Sequence, residues 1–110
     1  MNIPGLGNLQ KQMQKMQEDM MKAQDELDAE RLETSSGGGM VKVVTSGMGE
    51  ILEIHISPEI VDPSDVETLQ DMVTIGVRDA LKKAQDHHTD RMSGITGGIA
   101  GKLPGLGFPM

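Results

Sequence analysis

At 110 residues the chain is long enough for one domain and short of two ordinary ones. Only 36% of it is hydrophobic, Phe108 is its one aromatic residue, and it has no cysteine, which excludes disulfides, thiolate metal sites, thiol catalysis and ring-stacking RNA modules. The formal charge of −7 argues, taken whole, against a polyanionic partner, and a core without large rings predicts an extended or oligomeric particle.

Residues 1–7 contain Pro4, Gly5 and Gly7 and are expected to be flexible. They lack the basic region and apolar run of a signal peptide, and no stretch is long and apolar enough for a membrane span. The expected location is therefore the cytoplasm. A helix is predicted over 8–32, with Asn8 as its N-cap. Its apolar positions Leu6, Leu9, Met13, Met16, Met20, Ala23 and Leu27 alternate in steps of three and four. That is a narrow heptad seam, and such a seam needs a partner helix. Leu9, Met13, Met16, Met20 and Leu27 are accordingly assigned to a dimer or helix seam. The methionines are read as packing residues, with Met21 off the seam.

Between 31 and 57 the period changes to two. Strands are expected near Arg31–Thr34, Met40–Thr45 and Ile51–Ser57, joined at Ser35–Gly39 and at Ser46–Gly49. The glycine triplet 37–39 reads as a turn, with a flexible linker as the alternative. A second helix is predicted over 63–93, starting at Pro63 or at a capping box from Ser64 to Glu67. Leu69, Met72, Val73, Gly76, Val77, Ala80, Leu81 and Ala84 give it a broad sheet-facing stripe. Residues 94–110 are Gly- and Pro-rich and are expected to form a mobile tail.

No catalytic constellation is evident, and no enzyme activity, cofactor or metal is expected. Asp86, His87, His88 and Asp90 include ligand types, but the two histidines lie about 100° apart on a helix and do not converge. The glycine runs lack the Lys-Ser/Thr ending of a phosphate loop. Charge is more informative. It runs +1 over 1–24, −4 over 25–33, −2 over 34–61, −4 over 62–79 and +2 over 80–110. Both ends of the chain are mildly basic. If they project from an acidic hub, Lys11, Lys15, Lys22, Lys82, Lys83, Arg91 and Lys102 can meet phosphates beyond the reach of the hub's field.

The ordered segments GLGNLQKQMQKMQEDM, SSGGGMVKVVTSGMGEILEIHISPEIV, DVETLQDMVTIGVRDALKKAQD and LPGLGFPM resemble the YbaB/EbfC family of nucleoid-associated DNA-binding proteins over nearly the whole chain. The resemblance implies an α+β domain. It consists of a long N-terminal helix, a three-stranded antiparallel meander and a long C-terminal helix, whole or broken in two. It also implies a tweezer-like homodimer whose helical arms hold duplex DNA with little sequence preference, in the bacterial nucleoid and cytoplasm. Replication or recombination-repair proteins are further expected partners, and membranes are not. The alternative is a protein-interaction scaffold for such partners that makes no direct DNA contact.

Overall fold

The computed structural model describes the backbone of residues 5–100 and side chains through residue 95. Helix α1 spans Leu6–Ala29, strand β1 Arg31–Ser36, β2 Val41–Ser46, β3 Ile51–Ile56 and helix α2 Val66–Ala100. The strands form one antiparallel sheet in the order β1-β2-β3. Among the described residues, no helix is long and apolar enough to cross a membrane.

The boundaries depart from the sequence expectation for local reasons. α1 starts at Leu6 because Gly5, at φ 89°, turns left-handed and its carbonyl accepts the Leu9 N–H at 3.0 Å, so Asn8 lies inside the helix. It stops at Ala29, where Glu30 turns extended and Arg31 begins a ladder opposite Ser46. α2 starts later than either expected cap. The Asp65 carboxylate accepts the Thr68 N–H at 3.3 Å and its hydroxyl at 2.8 Å, while Asp62 closes the preceding turn on Ser64. α2 also runs unbroken to Ala100, so the stretch 94–100, expected in a tail, is helical. The rest of that tail lies outside the described residues. The glycine triplet forms a turn, with φ of 60°, 68° and 90° that only glycine adopts at little steric cost.

The β1–β2 register runs from Arg31 opposite Ser46 to Ser36 opposite Val41. β2 pairs with β3 from Val41 opposite Ile56, with a bulge where Val44 and Thr45 face Glu53 and Ile51. One face of the sheet packs against α2, and Val41, Val43 and Ala80 are fully buried there. α2 lies over β1 and β2, and Gly76 permits the approach: a Cβ there would sit 2.8 Å from Val41 Cγ1. β3 is left without a helix over it, and Ile51, Leu52, Ile54 and Ile56 are all exposed. α1 docks only by its C-terminal end. Ala23 and Leu27 are buried, and the Leu27 carbonyl accepts the Gly47 N–H at 2.8 Å.

The result is elongated, 76 × 31 × 18 Å with a radius of gyration of 20.5 Å. A compact domain of this length would have a radius of about 13 Å.

Candidate nucleic-acid interface

The helices meet as an antiparallel pair. His87 contacts Glu30 at 2.5 Å, and Arg91, one turn further along α2, pairs with Glu26, one turn earlier on α1. Extending that register matches the last described turn of α2 to the middle of α1. The N-terminal half of α1, from Leu6 to about Met16, therefore projects as a single-helix arm. Its exposure agrees: Leu6, Leu9 and Met13 are 43%, 53% and 57% exposed, whereas Leu27 is fully buried. The seam is thus divided. Leu27 packs within its own chain, Met16 and Met20 are half-buried, and Leu9 and Met13 lie open.

The lysines of α1 fall on the side opposite this seam. At about 100° per residue, Lys11, Lys15 and Lys22 lie within about 40° of one another and roughly 180° from Met13 and Met20. They are exposed and have no ion-pair partner among the described residues. Neutral Gln12 and Gln14 flank them, one on each side. Glu18 and Asp19 interrupt the stripe on its inner half, so its most basic part is the outer end. From Lys11 to Glu26 the helix rises about 22 Å, more than twice the Debye length of about 8 Å at physiological salt. The field of the acidic hub is therefore largely screened at the arm tip.

The cations of α2 are deployed differently. Lys83 Nζ donates to the Glu33 carbonyl at 2.7 Å, and Arg91 is held by Glu26. Both turn back toward the hub. Lys82 is exposed and lines a shallow groove with Leu32, Asp79, Asp86 and Asp90. Arg78, which the sequence reading passed over, is exposed one helical turn before Lys82 and shares its outward face. Its place inside an acidic stretch hid it. Lys102 lies outside the described residues.

The sheet face away from α2 is a lattice of opposite charges. Arg31 bonds Glu53 at 2.7 Å, Lys42 bonds Glu33 at 2.9 Å, and His55 lies 3.6 Å from Glu53. The Lys42 ammonium holds the Glu33 carboxyl below the usual carboxylate range. The Ser64 hydroxyl and N–H do the same for Asp62. Among the described residues no three His, Asp or Glu side chains are grouped to hold a metal ion, and His87 faces Glu30 rather than the Asp86–Asp90 cluster.

A family model described as the YbaB/EbfC DNA-binding family matches residues 1–99. A nucleoid-associated protein of Ruminiclostridium cellulolyticum is 52% identical over 101 residues, covering 92% of this chain and 87% of that one. Another, of Pelotomaculum thermopropionicum, is 50% identical over 101 residues and covers 92% and 94%. The crystal structure of an uncharacterized protein from Helicobacter pylori superposes with a TM-score of 0.65 at 23% identity, over 82% of this chain and 91% of that one. That likeness concerns the fold.

Proposed function

The chain belongs to the YbaB/EbfC DNA-binding family, a family of DNA binders rather than enzymes, and on that premise we propose that it acts as a homodimer whose arms clasp duplex DNA through phosphates, with little sequence preference. The observation that carries this reading is the α1 lysine stripe, without ion-pair partners among the described residues, whose outer members Lys11 and Lys15 lie on the projecting arm. Lys11, Lys15 and Lys22 are the leading contacts, with Lys82 on the second helix. Lys83 and Arg91 join only by exchanging their intramolecular acceptors for phosphate, and Lys102 is a further candidate. The proposed interaction is positional and electrostatic, through phosphates rather than base edges. The nucleoid, within the cytoplasm, is the corresponding location, in keeping with the names of the relatives. The open apolar seam at Leu9 and Met13 offers a docking face for a further protein partner, and a replication or recombination-repair protein is the one we propose.

Binding is expected to be weak, because few cations serve a chain of charge −7. It should also be steeply salt-dependent, at about 0.9 log units of affinity per log unit of salt for each phosphate neutralised. The test is a mobility shift on random-sequence duplex at low and moderate salt. Binding at low salt that fades at higher salt, and is lost in the Lys11→Glu/Lys15→Glu variant with its helicity intact, supports the reading. Undiminished binding by that variant removes the arm from the interface. No binding at low salt, beside retention of a protein partner, supports the scaffold alternative.

A further inference from the structure

The apolar seam of α1 is a single stripe, covered over one half and open over the other. Where α2 runs beside it, Leu27 and Ala23 are buried and Met20 and Met16 half-buried, and Met92 and Ile95 of α2 are half-buried in turn. The contacts of His87 with Glu30 and of Arg91 with Glu26 set an antiparallel register. In that register Ala100, where α2 ends, comes level with Gln17. Past this point Met13, Leu9 and Leu6 continue the same stripe and are exposed. Residues 101–110, GKLPGLGFPM, leave α2 at the same level. From Gln17 to Leu6 the helix rises about 16 Å, whereas ten extended residues reach up to about 35 Å. The segment is long enough, it carries Leu103, Leu106, Phe108 and Met110, and its one charged side chain is Lys102.

We infer that residues 101–110 turn along the arm of their own chain and cover the open half of the seam, with Leu106, Phe108 and Met110 against Met13, Leu9 and Leu6. Pro104 has no N–H with which to carry a helix on, and in an extended segment residues 106, 108 and 110 share one side. Side chains on that side stand about 6.6 Å apart. The seam offers steps of about 6 Å from Met13 to Leu9 and about 4.5 Å from Leu9 to Leu6, and the turn-forming residues 101–105 take up the slack. Phe108, the one aromatic ring of the chain, brings the largest apolar area. Tethering decides the occupant. A segment joined to a surface by a short linker meets it at an effective concentration on the order of millimolar, so a freely diffusing protein that takes this seam must first displace the tail. An uncovered helix as short as the arm is marginal in water, and the cover keeps it helical. Lys11 and Lys15 lie on the far side of α1, so this contact goes beyond the DNA-binding reading and does not depend on it.

Because the chain has no cysteine, one introduced cysteine reports each face of the arm in the full-length protein. Met13→Cys should react with a thiol reagent about tenfold faster when Leu106→Ser/Phe108→Ser is added, the factor expected for losing about 1.4 kcal/mol of docking. Lys11→Cys, on the opposite side of α1, should react at the same rate with and without those two substitutions. In NMR of the unaltered chain the phenyl protons of Phe108, which no other residue shares, should show through-space contacts to the Leu9 methyls. Mixing labelled with unlabelled protein should place those contacts within one chain. Equal rates at position 13 in both backgrounds, or a change at position 11 as large as that at 13, would overturn the inference. So would protection at 13 that survives the two serines and fades on dilution, which gives the seam to a second copy, and so would ring contacts that are absent or run only between chains.

Discussion

Two buried hydroxyls stand out at the scale of single residues. Thr34 Oγ1 and Thr45 Oγ1 are shielded and have no hydrogen-bond partner among the described residues, and Thr45 is 0% exposed. Burying a hydroxyl without a partner costs about 1–3 kcal/mol, and valine has nearly the same shape without the polar atom. Thr45→Val should therefore raise the unfolding free energy by about 1 kcal/mol, seen as a higher urea midpoint at unchanged slope. An unchanged or lower midpoint would mean that the hydroxyl is satisfied. Gly47 makes the opposite case. A Cβ there would lie 2.7 Å from the Leu27 carbonyl oxygen and 2.9 Å from Leu27 Cδ2, where α1 is fastened to the β2–β3 turn. Gly47→Ala should cost about 1–3 kcal/mol and loosen α1, read as faster amide exchange near Leu27 than near Val43. Uniform destabilisation would show that the turn does not govern docking.

At the scale of elements, periodicity carried far and boundaries did not. The step from a three-four spacing to strict alternation at 31, and back again after Pro63, was legible because each side chain reports its own face. Helix ends were not, because they depend on backbone conformations that several residues could have supplied. Asn8, Ser64 and Pro63 are all respectable starts, but Gly5 and Asp65 made the bonds. Nor was the length of α2 legible. Gly94, Gly97 and Gly98 each cost about 1 kcal/mol against alanine, yet once a helix is nucleated each added residue gains a hydrogen bond. Asp65→Ala should remove both bonds to Thr68 and cost about 1 kcal/mol, measured as a lower thermal midpoint. Two carboxyls also predict an acid response. Glu33 and Asp62 are both held below the ordinary carboxylate range, so the stability they contribute is complete above that range and lost as pH falls through their lowered values. Following the carboxyl carbon by NMR, Asp62 should titrate below the ordinary aspartate range, and Ser64→Ala should move it up. An Asp62 midpoint indifferent to Ser64 would contradict the assigned cause.

At the scale of the whole molecule, the candidate site was legible only as a list of cations. The lysine stripe on α1 can be counted off the sequence. The capture of Lys83 by a carbonyl 50 positions away and of Arg91 by an acid 65 positions away cannot, because both depend on how α2 lies across β1 and against α1. The same topology leaves each chain with a thin core, Val41, Val43 and Ala80, beneath a 35-residue helix, while Ile51, Leu52, Ile54 and Ile56 of β3 all stay exposed. A chain built this way gains much of its stability from whatever covers that surface. If the cover is a second copy, stability becomes a function of concentration: a hundredfold dilution removes about 2.7 kcal/mol from a two-chain folding equilibrium, and the thermal midpoint should drop by about 5–10 °C. Scanning the same protein by circular dichroism across that dilution checks the expectation. A Leu52→Lys/Ile56→Lys variant supplies the contrast, since a single chain should melt at one temperature regardless of concentration, below the wild type at every dilution that keeps the wild type paired. A wild-type midpoint that does not move would mean that the folded chain stands alone, and the arms would then meet DNA singly rather than as a pair.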